Sequence, residues 1–108
     1  YLRAAERGDI LSLIHYYEEG FPLNWQDIDT GETALHVIAA CRARDCLRLY
    51  IKTNECDYLI RDNWNRLPSE MAYLYGNDPA VARLLGNKER KQAELQQVKL
   101  TRTETLKI

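Results

Sequence analysis

Apolar residues of this chain return at a constant interval of 34 positions. Ala4, Ile38 and Ala72 form one series, Leu13, Leu47 and Val81 a second, and Tyr16, Tyr50 and Leu84 a third. Ala5, Ala39 and Tyr73 keep the same register, as do Tyr17, Ile51 and Leu85, all without gaps. A period this long belongs to one supersecondary unit copied along the chain. Such a unit cannot bury its apolar face alone and must stack on its neighbours. The expected architecture is therefore a stack of repeated units.

The most informative copy is the middle one, where Gly31–Ala40 reads G-E-T-A-L-H-V-I-A-A. Gly31 ends a turn, Thr33 is placed to cap a helix, and Leu35, Ile38 and Ala39 recur at helical spacing. A helix this short is unstable by itself. The stretch resembles the first helix of an ankyrin repeat, G-x-T-P-L-H-x-A-A, with Ala34 at the proline place and Ile38 at an alanine place. The resemblance covers residues 1–87 in about three repeats, 1–26, 27–60 and 61–87. Tetratricopeptide repeats have a similar period, but their signature tryptophan, glycine and tyrosine are missing from the first helix. The resemblance implies an all-α fold, an ankyrin-repeat solenoid of stacked helix-turn-helix units with hairpin loops.

The first repeat begins within a helix at Leu2–Arg7, turns at Gly8-Asp9, and continues into a second helix over about Ile10 to Glu19. Ile10, Leu13, Ile14 and Tyr17 are expected to face the core. The second repeat has helices near Ala34–Cys41 and Arg44–Lys52. Arg42 stands where the family places a turn glycine, so a residue with a Cβ is expected at positive φ, at a cost of about 1 kcal/mol. In the third repeat Asn65 takes the turn-glycine place and Pro68 opens a helix, its missing N–H harmless in a first turn. Pro79 opens the next helix, with Val81, Leu84 and Leu85 expected inward. Glu70 replaces the motif histidine.

Residues 1–87 carry nine basic and thirteen acidic side chains, and residues 88–108 carry six and three, within a net charge of −1. No overall field steers the molecule to nucleic acid or a membrane. The basic residues Lys88, Arg90, Lys91, Lys99, Arg102 and Lys107 alternate with Glu89, Glu94 and Glu104, the pattern of a solvated helix with i,i+4 pairs. The periodic core is expected to stop after Asn87. The first half of this extension is helix-forming. The second half, with Thr101, Thr103 and Thr105, is compatible with a strand, a peptide docked on a neighbour, or disorder. No apolar run approaches the length of a membrane span. Cys41, Cys46 and Cys56 are too few and too irregular for a disulfide framework, and reduced thiols in an intracellular, cytoplasmic protein are the simplest account. The chain starts inside a helix, so an upstream repeat is expected to be missing.

No nucleophile elbow, phosphate-binding glycine loop, carboxylate pair or zinc spacing is recognisable. The chain is read as neither an enzyme nor a cofactor or metal protein. His36 lies in the T-x-L-H motif, where the resemblance implies a structural role tying the backbones of adjacent turns. Gly31, Thr33, Leu35 and Pro68 are likewise structural.

The resemblance implies a non-catalytic module that binds a protein partner on a concave face made of hairpin tips and first helices. By register these positions are Asp29, Thr30, Glu32, Ala40 and Cys41 in the middle repeat, and Asn63, Trp64, Arg66, Leu74 and Tyr75 in the third. Glu6 and Arg7 remain from the first. Trp64, Arg66 and Tyr75 are of the types that dominate interface energetics. Trp64 has two readings, an exposed anchor or a ring folded down onto the next repeat or the tail. The alternatives for the whole are self-association through the extension, via Leu95, Val98, Leu100, Leu106 and Ile108, or a regulatory piece of a larger enzyme.

Overall fold

A computed structural model describes residues 1–96. Six helices form among the described residues, and no strand: α1 (Leu2–Glu6), α2 (Ile10–Glu18), α3 (Ala34–Ala40), α4 (Arg44–Lys52), α5 (Pro68–Leu74) and α6 (Pro79–Gln96). The all-α expectation holds for them. The expected strand, docked peptide or disorder over Thr101–Thr105, and the apolar residues Val98, Leu100, Leu106 and Ile108, lie outside the described residues.

The 34-residue interval persists in the backbone. Helices α3 and α5 start and end 34 positions apart, and so do α2 and α4. Left-handed residues recur at the same step: Gly8 with Arg42, Gly20 with Asn54, and Gly31 with Asn65. Arg42 has φ 57 and Asn65 φ 63. Both residues crowd their Cβ against the following carbonyl there; asparagine offsets the cost through local hydrogen bonding of its short polar side chain, and arginine does not.

Helix α3 is the centre of the molecule, packed between α1 and α5 and against α4. Ala34, Leu35, His36, Val37, Ile38 and Ala39 are all buried. A helix enclosed on every side needs small or apolar residues all round, which explains A-L-H-V-I-A-A. Thr33 caps it: its Oγ1 accepts from the His36 amide at 3.3 Å, while His36 Nδ1 accepts from the Thr33 amide at 3.1 Å. In α5 Glu70 does the histidine's local work, its Oε1 accepting from the Leu67 amide at 3.2 Å.

Inward assignments on two helices are corrected. Of the expected core face of α2, Leu13 is fully buried and Ile10 packs half-buried against the core as expected, but Ile14 is only half-buried and Tyr17 is exposed with its hydroxyl donating to Glu55. Helix α2 packs chiefly on α1 and α4, so its apolar stripe is covered in part. Leu84 is 40% exposed, whereas Val81 and Leu85 are buried.

The solvated-helix reading of the extension is also corrected up to residue 96. Helix α6 passes Asn87 without a break, and Glu89 and Ala93 are buried. Glu89 Oε1 accepts from the Ser69 amide at 3.2 Å. Gln92 accepts from the Tyr58 amide at 2.7 Å and donates to the Cys56 carbonyl at 2.9 Å. On the same loop Asn24 donates to the Glu55 carbonyl at 3.0 Å and accepts from the Asp57 amide at 2.9 Å. Two side-chain amides thus satisfy one backbone group from each of four successive residues, Glu55 to Tyr58. Asn24, Tyr58 and Gln92 are 34 residues apart, so the core's register continues beyond Asn87.

Candidate functional site

The exposed aromatic surface forms where the tip of the 62–66 turn meets the end of α5. Asp62 builds the turn: its Oδ1 accepts from the Trp64 amide at 3.0 Å and the Arg66 amide at 2.9 Å. Its other oxygen holds Arg66 through Nε and Nη2, each at 2.8 Å. Asp62 is buried and the Arg66 side chain is only 15% exposed. The guanidinium is therefore neutralised and oriented before any ligand arrives.

Around this fixed cation stand two aromatic rings. The Arg66 guanidinium carbon lies 5.1 Å from the Trp64 ring centroid and 5.2 Å from that of Tyr75. Arg66 Nη1 also donates to the Tyr75 hydroxyl at 2.8 Å. Stacking on arginine stiffens both rings, yet Trp64 and Tyr75 each remain 60% exposed. Of the two readings of Trp64, the exposed one holds among the described residues.

The neighbouring hairpin is joined to this one by Asn63, whose amide donates to the Thr30 carbonyl at 2.8 Å and whose Nδ2 donates to the Asp29 carbonyl at 2.7 Å. Asp27 shapes that hairpin, its Oδ1 accepting from the Asp29 and Thr30 amides at 2.8 and 3.0 Å. A Cβ at Gly31 would come within 2.5 Å of Asn63 Oδ1 and 2.8 Å of its amide nitrogen. Glycine is required there both for φ 73 and for this close approach.

Asn63, Trp64, Arg66, Tyr75, Asp29 and Thr30 are thus brought together. The charge of Glu32 reaches both Arg66 and Cys41. Leu74 is half-buried beside Tyr75, and Cys41 is exposed at the end of α3. Arg7, at the end of α1, turns to its own hairpin with Nη2 3.8 Å from Asp9. Sequence reasoning missed Asp62, the residue that fixes the arrangement. An acidic residue four positions before Arg66 across a turn was the available signal.

The chemistry of the remaining polar groups is structural. His36 is fully buried and its Nε2 donates to the Arg66 carbonyl at 2.8 Å, so Nδ1 is the acceptor and the ring is neutral. Burial holds its pKa below the usual 6.5. Partial burial, and after it the charges of Glu6 and Glu32, pushes the Cys41 thiol up. Burial raises Cys46 and takes Cys56 to about 11, so all three thiols stay protonated at neutral pH. Among the described residues no group of three His, Cys, Asp or Glu side chains is placed to hold a metal ion. No helix among them is long and apolar enough to cross a membrane.

No protein-family model matches the chain, and no curated protein matches it either.

Proposed function

We propose that residues 1–87 form an ankyrin-repeat solenoid that binds a protein partner, without catalysis, on the surface made by its hairpin tips and first helices. The exposure of Trp64 and Tyr75 around an already neutralised Arg66 carries this reading. Rigid aromatic rings give up little entropy on binding, and a prepaired arginine gives up little solvation. The recurrence of helix ends and left-handed residues at 34 positions supports the repeat architecture. So does the link from His36 to the next hairpin's Arg66 carbonyl. Asp29 and Glu32 beside the rings favour a partner with basic groups at its rim. No cofactor, nucleic acid or membrane enters this reading.

The test is capture from a native lysate by wild type, by a Trp64→Ala, Tyr75→Ala double variant, and by a Leu11→Ala control on the outer side of α2. The expected partner is retained by wild type and control. It is weakened about thirtyfold for each ring removed, or ~2 kcal/mol. Unchanged capture by a double variant of native helicity would reject the site. Self-association through the extension predicts an oligomer that dissociates on removing residues 97–108. Cutting at 87 would confuse that test, because Glu89 and Gln92 hold the core.

A further inference from the structure

A second surface lies on the side of α4 and α6. A cleft of about 200 Å3 runs between them, floored by Leu47, Ile51, Ala80, Val81 and Leu84. The 34-residue register explains its existence. Ala80 and Leu84 occupy the places of Cys46 and Tyr50, which are buried, Tyr50 with its hydroxyl 2.5 Å from that of Tyr1. A smaller pair at the equivalent places leaves the space between α4 and α6 unfilled, and Leu84 stays 40% exposed.

Arg44 and Arg48, one turn apart on α4, form the rim. Arg42 and Lys52 extend the same row, both exposed, and Arg83 is exposed on α6. Among the described residues, two carboxylates pair with this row. Asp78 is held by Arg44 at 2.7 and 2.9 Å, and the Arg44 hydrogen bonds keep its pKa below the ordinary value, with Arg42 adding to the effect. Asp45 pairs with Arg48 at 2.5 Å, but both are largely exposed, and such a pair exchanges readily for another. The side has a cationic excess, opposite in sign to the Asp29 and Glu32 surface. Residues 97–108 carry three basic side chains against one acidic, so by charge they are a poor occupant.

We propose that this cleft is a docking site for an acidic amphipathic helix of a partner protein. Aliphatic side chains one turn apart seat on Leu47, Ile51 and Leu84, and flanking Asp or Glu carboxylates pair with Arg48 and Lys52, while Arg44 stays on Asp78. This is the helix-in-groove mode, with apolar anchors giving affinity and rim charges giving selectivity. The site is independent of the Trp64 surface, and either can fail without the other.

The experiment is selection of random 16-residue peptides displayed on phage against the intact chain, followed by binding of the enriched peptides to variants. The expected class carries Asp or Glu flanking aliphatic residues at i, i+3 or i+4. Its affinity falls about tenfold on Arg48→Glu and on Leu84→Asp, weakens with added salt, and is unchanged by Trp64→Ala. Arg48 is largely exposed, so Arg48→Glu remains informative if Leu84→Asp disturbs folding. Enrichment of neutral or basic peptides only would overturn the proposal. So would acidic peptides indifferent to Arg48→Glu, or a dimer of this chain abolished by that substitution. Peptides sensitive only to Trp64→Ala would overturn it while supporting the first site.

Discussion

His36 shows how one side chain can join two turns. Its two ring hydrogen bonds need a neutral ring: Nδ1 faces the Thr33 N–H, and Nε2–H faces a carbonyl. Because its folded pKa lies below the unfolded value of 6.5, the unfolded chain binds the extra proton first. Stability therefore declines as pH falls through about 6.5, until the folded-state pKa is passed. Denaturant midpoints at pH 7.5 and 5.5 are expected to differ in wild type and to differ less in His36→Asn. The same exchange costs about 1–3 kcal/mol at pH 7.5, through a lost link to the Arg66 carbonyl. At Arg42 the expected change has the other sign. Replacing a left-handed non-glycine residue by glycine removes the Cβ clash, and Arg42→Gly is expected to raise stability by about 0.5–1 kcal/mol in chemical unfolding.

At the scale of the element, α6 performs two tasks. Its first half pairs with α5, and its second half seals backbone groups of Ser69, Cys56 and Tyr58. Gln92→Ala leaves a carbonyl and an amide of the 56–58 loop without their side-chain partner and is expected to cost about 1–2 kcal/mol. A chain ending at Asn87 loses both anchors and should melt well below one ending at Gln96, as circular dichroism would measure. Equal melting of the two would show that the second half of α6 is not part of the core. Much of the element layout was legible in the sequence, since apolar residues repeating at 34 positions fix where helices start and face. The role of Glu89 was not. A glutamate among lysines reads as solvated, because residue type does not reveal that a Ser69 amide waits opposite. Leu84 was misplaced for a related reason: periodicity says which face is apolar but not whether a neighbour covers it. The Trp64 and Tyr75 surface was legible by register, while Asp62, which organises it, was hidden in a turn.

For the whole molecule, the nearly neutral net charge conceals two unlike surfaces, one with Asp29 and Glu32 and one with Arg44, Arg48 and Lys52. The shared centre around α3 ties these surfaces into one body, since α1, α4 and α5 all pack on that helix. Unfolding should accordingly be cooperative across residues 1–96, and the slowest-exchanging amides of α3 and α5 are expected to report the same free energy in native-state hydrogen exchange. A stepwise release of α5 and α6 before α3 would contradict this.

The anchors Glu89 and Gln92 also set an order in time. A ribosome delivers Asn24 and its loop partners early, but the other groups of that loop, at Cys56 and Tyr58, stay open until Gln92 has been made. A product abandoned before that residue leaves those backbone groups without their side-chain partner, so α6 distinguishes chains that have passed Gln92 from chains that have not.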